Sequence, residues 1–280
     1  LSGAPQGNTI LGIDAGNALT TGTNNTIMGN DAGKAVTVGG NNVIVGFEAA
    51  LNSATNTSDM VVIGEKAFES GSAGFGSVLI GKQAGNSQSG ELIVGIGRES
   101  ARVNTSDRVI MIGYQAGYSN TSGGNNTFVG ERSGYSNTTS DNNTYMGDQT
   151  GYSASGEKNT AVGQGAFGGG FGHTGTDNVA IGYLANQAPT GASNYNVAIG
   201  SEALRSSGTR TNNVAIGYKA ATAVTTGSNN TVLGYQAGDA VTIGSNNIII
   251  GHEATASAVD VNNEITLGDA NVTSLRIPGL

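Results

Sequence analysis

A glycine that closes a short apolar cluster recurs through this chain at positions 12, 29, 46, 64, 81, 97, 113, 130, 147, 163, 182, 200, 217, 234, 251 and 268. Most steps are 17 residues, with a shortest of 16 and a longest of 19. A period this short is the mark of a solenoid, in which one small unit stacks on the next. At "GELIVGIGRESA" either Gly95 or Gly97 could serve as the anchor; Gly97 turns steps of 14 and 18 into 16 and 16.

With that register the columns sharpen. Three residues before the anchor stands Thr, Val or Ile, and immediately before it Ile, Val, Leu or Met. Three residues after it stands Ala, Ser or Thr in fifteen of sixteen units, Asn271 being the exception. Four residues before it Asn fills eleven of sixteen. β-Branched residues in a fixed column between Gly and Asn turns describe a short strand, and Gly and Asn in every second turn exclude a helix. Each unit is expected to be one coil of an all-β, parallel β-roll or β-solenoid of about sixteen coils, spanning residues 1–261, with a terminal coil and C-terminal segment over 262–280. Stacked asparagines are expected to hydrogen-bond along the ladder.

Composition narrows the function. The chain has 47 Gly, no Cys and a net charge of −8. No Lys/Arg stripe exists to meet phosphate, so nucleic acid is not an expected partner. No apolar run approaches the roughly 20 residues of a membrane helix, so membrane insertion is not expected. Without cysteine there is no disulfide framework and no thiolate for metal or catalysis. The chain opens on "LSGAPQG" inside the pattern, which suits a piece of a longer one.

Alternation along a strand puts the columns either side of the middle residue on one face, expected to be the coil interior, where Val43, Val179 and Ile181 would lie. The middle column then points outward, yet it too is apolar over most of its length (Ile27, Ile44, Met111, Phe128, Ile249). Strands apolar on both faces are buried on both. The expectation is a parallel homo-oligomer with those five residues at the interface. Its subunits would lie closest along the alanines from Ala161 to Ala215.

The segments "NVAIGYLA", "NVAIGSEA" and "NVAIGYKA" resemble the head repeats of trimeric autotransporter adhesins, which implies a left-handed parallel β-roll in a homotrimer. The stretch "NNTFVGERSGYSNTTSDNNTYMGDQTGYS" resembles repeats of bacteriophage tail fibres. "NNEITLGDANVTSLRIPGL" resembles the segment before an endosialidase-type intramolecular chaperone, which assists trimerisation and cuts itself off. The tail-fibre resemblance implies a homotrimeric structural and adhesive shaft in the virion, touching a host surface glycan or protein and other tail proteins. It also implies that Leu280 is a processed end after loss of the chaperone. The alternative is an adhesin head on a bacterial cell surface; a third reading is a glycan-cleaving tailspike.

Sharper chemistry finds little footing. "GGGFGHTG" at 168–175 and "VGIG" at 94–97 lack the Lys-Ser/Thr and helix of a phosphate loop. The former marks the widest spacing of the repeat; an ordinary tolerated insertion is the first expectation there, and the alternative is a bulging loop that presents Phe167, Phe171 and His173 to a receptor. His173 and His252 lie several coils apart, so no metal site is expected, and no cofactor. Asp59, Asp107, Asp141 and Asp177 suit turn caps. Glu48, Glu65 and Glu99, beside Lys66 and Arg98, suit a solvated face rather than a carboxylate pair for glycan cleavage. The chain is therefore expected not to be an enzyme. The sequons at Asn56, Asn104, Asn137 and Asn271 are what Asn/Thr-rich turns produce.

Overall fold

The computed structural model describes residues 7–53, 56–72, 74–168, 173–187, 191–206 and 208–276. The chain separates into two compact units, 1–152 and 153–280. In the first, β1 (Thr9–Leu11), β2 (Thr26–Met28), β3 (Val43–Val45), β4 (Val61–Ile63) and β5 (Val78–Ile80) are followed by β6 (Val94–Ile96), β7 (Ile110–Ile112), β8 (Thr127–Val129) and β9 (Thr144–Met146). The second holds β10 (Thr160–Val162), β11 (Val179–Ile181), β12 (Val197–Ile199), β13 (Val214–Ile216), β14 (Thr231–Leu233), β15 (Ile248–Ile250) and β16 (Ile265–Leu267).

Within each unit every strand pairs in parallel with the next, one repeat on, so like columns meet. Ile10 faces Ile27, then Ile44, then Val62; Ala180 faces Ala198, then Ala215, then Val232. Gly95 pairs with Leu79 and Met111, which is the register that makes Gly97 the anchor. Each unit is thus an all-β parallel solenoid, as the period requires.

The anchor glycines are demanded by close backbone approach. A Cβ on Gly12, at φ +139°, would stand 2.3 Å from the carbonyl oxygen of Gly29 on the next coil. Two residues on, the chain turns through left-handed residues that are not glycine, among them Asp14, Asp31 and Glu48 at φ 52–55°. Such a conformation costs roughly 1–2 kcal/mol per residue. It is held by ladder bonds such as Asp31 N–H to Ile13 O at 2.9 Å and Glu48 N–H to Asn30 O at 3.0 Å.

The faces are the reverse of the expectation. The middle column lies inside the coil: Ile27, Met111, Phe128 and Ile249 are 0 % exposed and Ile44 1 %. Val43 and Ile181, expected inside, stand 36 % and 39 % exposed, and Val179 is half-buried. The five residues expected between chains therefore belong to the core of one chain. The alanines from Ala161 to Ala215 also face inward, so they do not mark an approach between subunits. Six residues later in the same coil, buried Phe167, Asn186 and Leu204 follow three of these alanines, while Ala215 is followed by buried Ala221.

The asparagines hydrogen-bond from coil to coil as expected, and they also bridge to backbone. Asn25 accepts the N–H of Asn42 at 3.0 Å and donates to Gly39 O at 2.9 Å; in the second unit Asn196 donates both to Asn178 Oδ1 and to Arg210 O, each at 3.0 Å. These bonds supply buried backbone groups that would otherwise lack partners at the coil corners. The ladder lapses where Met60, Ser77, Ile93 and Val109 take the column, and there Ser77 Oγ still accepts Ile93 N–H at 3.1 Å.

Candidate functional site

The outer strand face is built from the two columns that flank the buried one. In the first unit it carries Leu11, Met28, Val43, Ile110 and Met146; in the second, Ile181, Leu233, Ile248, Ile250 and Leu267, all exposed. Between them lie half-buried Val, Ile and Thr of the same columns. Each unit therefore displays a sheet face two apolar columns wide, and contiguous apolar patches of this kind mark interaction surfaces. Sequence reasoning found the two-sided apolarity and placed the wrong side outward.

The residues expected to touch a receptor do not form a surface. Phe167 and His173 are each 1 % exposed, and their rings meet at 3.9 Å between centroids. The apolar Phe167 ring is more stable in the core, and the His173 imidazole is buried against it with Nδ1 accepting the N–H of Gly175 at 3.2 Å. Phe171 lies outside the described residues, as do 277–280 and with them the expected end at Leu280.

A second surface follows each anchor glycine, where side chains two and five residues on lie side by side. Lys34 pairs with Asp31 at 2.7 Å, Lys66 with Glu48 at 3.0 Å and Glu69 at 3.3 Å, and Arg205 with Glu202 at 2.8 Å. Lys82 meets Glu65 at 2.8 Å and Arg98 meets Glu99 at 3.5 Å. The Glu48 and Glu69 carboxylates hold the Lys66 ammonium above its ordinary pKa, and Asp31 does the same for Lys34. These glutamates are engaged by cations on a solvated face.

On that surface aromatic rings stack from coil to coil. Tyr118, Tyr135 and Tyr152 lie parallel at 5.1 and 5.0 Å, with the Arg102 guanidinium 5.2 Å above Tyr118. In the second unit Tyr218, Tyr235 and His252 stack at 5.2 and 5.1 Å. The signal for the first stack was the repeated "GYS" in three successive units, which sequence reasoning passed over.

The turn aspartates act across coils rather than within their own turn. Asp107 Oδ1 accepts Glu91 N–H at 2.8 Å and Asp141 Oδ1 accepts Gly124 N–H at 2.7 Å, while Asp59 Oδ1 accepts from the Asn41 amide at 3.0 Å. Asn104 and Asn137, both in sequons, are buried and join Asn120 in an inner amide ladder. Ligand atoms of His252, Glu253 and Asp269 lie within 4.8 Å of one another, and Glu253 and Asp269 line a cleft together with Gln236 and Asp239. The histidine spacing could not foretell this trio, because its partners come from the neighbouring residue and the next coil. His252 and Glu253 are exposed and Asp269 is half-buried, and both Asp269 oxygens accept from Asn271, at 2.9 and 2.8 Å.

No protein-family model matches the chain, and no curated protein matches it.

Proposed function

We propose that the chain is a structural and adhesive segment of a bacteriophage tail fibre or spike, working as a homotrimer of left-handed β-rolls in the virion. The observation that carries this reading is the outer strand face, apolar in two columns and uncovered in a single chain. Moving such half-exposed aliphatic side chains out of water adds on the order of 1 kcal/mol apiece, so a dozen of them per chain suffice to hold subunits together. The number three, the handedness and the viral setting rest on the resemblance of the repeats.

In this reading the strand faces meet at a shared axis. The ion-paired and tyrosine-stacked surfaces point outward to a host surface glycan or protein. The role is to hold position and to adhere, without bond cleavage. Sedimentation equilibrium of the intact chain tests it: a mass of three chains is expected, and a stable monomer would overturn the assembly. Host polysaccharide incubated with the trimer is expected to bind it and to release no reducing ends; release would favour a glycan-cleaving tailspike.

A further inference from the structure

His252, Glu253 and Asp269 bring one imidazole and two carboxylates together from two successive coils, with ligand atoms within 4.8 Å of one another. Two of the three are held in place by their neighbours. The His252 ring lies parallel on Tyr235, with 5.1 Å between centroids and 8° between planes. Asn271 donates its backbone N–H to one Asp269 oxygen at 2.9 Å and its side-chain amide to the other at 2.8 Å. Those bonds keep the Asp269 carboxyl below its ordinary pKa, and so ionised. A carboxylate offers about four lone-pair sites, so Asp269 can accept both bonds and still ligate a metal. Hydrogen bonds of this kind orient metal-ligating carboxylates.

Charge supplies an independent observation. Elsewhere on the surface after the anchors, Asp31, Glu48, Glu65, Glu69, Glu99 and Glu202 each pair with a Lys or Arg. Residues 220–275 hold Asp239, Glu253, Asp260, Glu264 and Asp269 but no Lys or Arg. Three of these carboxylates, Asp239, Glu253 and Asp269, line one cleft of about 600 Å³. The preceding cation in the chain, Lys219, lies over the Tyr218 ring, 5.2 Å from its centroid. His252 Nδ1 stands 3.9 Å from Glu253 Oε2, at the outer limit of an ion pair. Carboxylates gathered in this way repel one another until a cation joins them.

We propose that His252, Glu253 and Asp269 bind one divalent transition ion of the zinc type, which staples the coil of β16 to that of β15. An imidazole nitrogen beside carboxylate oxygens suits zinc and its neighbours, whereas calcium and magnesium take oxygen ligands. Tetrahedral ligation at about 2.1 Å draws the three atoms to about 3.4 Å apart, and the exposed Glu253 side chain is free to swing inward. Water takes the fourth position, as in other zinc sites with three protein ligands, and the cleft admits it. His252 and Glu253 follow Gly251, and Asp269 follows Gly268, so the ion spans the step between two coils. Its binding energy adds to the stability of that step.

The test uses the intact chain, stripped with EDTA and titrated with zinc chloride by calorimetry. One zinc per chain is expected. His252→Ala and Asp269→Asn should each weaken binding about tenfold or more, while Asp31→Asn, at a paired carboxylate, should leave it unchanged. Zinc binding that survives in both site variants, or calcium binding of equal strength, overturns the site. Crystals measured at the zinc absorption edge should show an anomalous peak between the three side chains, and its absence there also overturns it. Gly268 N–H donates to Ile250 O at 2.6 Å across the stapled step. Its hydrogen exchange should slow about tenfold or more with zinc, and unchanged exchange removes the staple. If a variant does not fold, the zinc peak in the unmodified chain decides.

Discussion

The ring of Phe128 lies directly against Gly134, six residues later in the same coil: a Cβ on Gly134 would stand 2.6 Å from ring carbons. One coil on, Tyr145 and Gly151 repeat the relation at 2.4 Å. In the second unit the sizes are inverted: the buried middle residues Ala161 and Ala198 are followed six residues later by buried Phe167 and Leu204. In these four coils one of the two positions carries a large buried side chain and the other only Gly or Ala.

Gly134→Ala is therefore expected to destabilise by about 1–3 kcal/mol, since overpacking of the ring adds to a left-handed backbone at φ +60°. The double variant Phe128→Ala, Gly134→Phe copies the Ala161–Phe167 arrangement, in which Phe167 has φ +53°. It should recover much of the loss shown by its two single variants. Denaturant midpoints of the four proteins check this; purely additive effects would remove the complementarity.

The asparagine column makes a separate prediction. Asn213 Oδ1 accepts Asn230 N–H at 3.0 Å, and its amide donates to Gly227 O at 2.9 Å. Asn213→Ala strands both buried backbone groups and should cost roughly 1–3 kcal/mol for each group left unsatisfied. Hydrogen exchange should speed locally at the amide of residue 230.

Substitutions on the two faces of one strand should have opposite consequences. Met28→Asp with Ile250→Asp places charge on the outer face and should dissociate the oligomer while circular dichroism stays that of folded β-structure. Ile44→Asp with Ile249→Asp places charge in the core and should unfold the chain. Light scattering beside circular dichroism separates the two. Folded oligomers of the outer-face variant would exclude that face as the interface.

Acid stability should depend on His173. Its folded pKa, lowered by burial and by Arg210 to about 3, lies below the ordinary value of 6.5. Between those values the unfolded chain binds the extra proton, so stability is full above about pH 6.5 and falls as the pH drops toward 3. The full effect is of the order of 4–5 kcal/mol at 1.36 kcal/mol per pKa unit. His173→Gln should flatten the dependence of the melting temperature on pH in that window. An unchanged slope would place the acid sensitivity elsewhere.

What the sequence by itself determined was the period, the anchors and the strands. All sixteen strands sit on the three residues before an anchor glycine, because close coil stacking tolerates nothing larger there and β-branched residues favour extended backbone. It did not determine which side of each strand faces inward. Alternation assigns residues to two faces, and when both are apolar it carries no sign for the interior. That sign came from the corners: left-handed residues such as Asp14 and Gly16 fold the chain back so that Gly16 comes up against the middle-column residues Ile10 and Ile27. The six-residue complementarity of Phe128 with Gly134 and Ala161 with Phe167 was visible in the chain, but only as a correlation between columns whose contact was still unknown. His173, Asn186 and Arg210 come from three successive coils with spacings of 19, 18 and 17 residues, and only the folded path of those coils buries Arg210 against Asn186 and within electrostatic reach of His173.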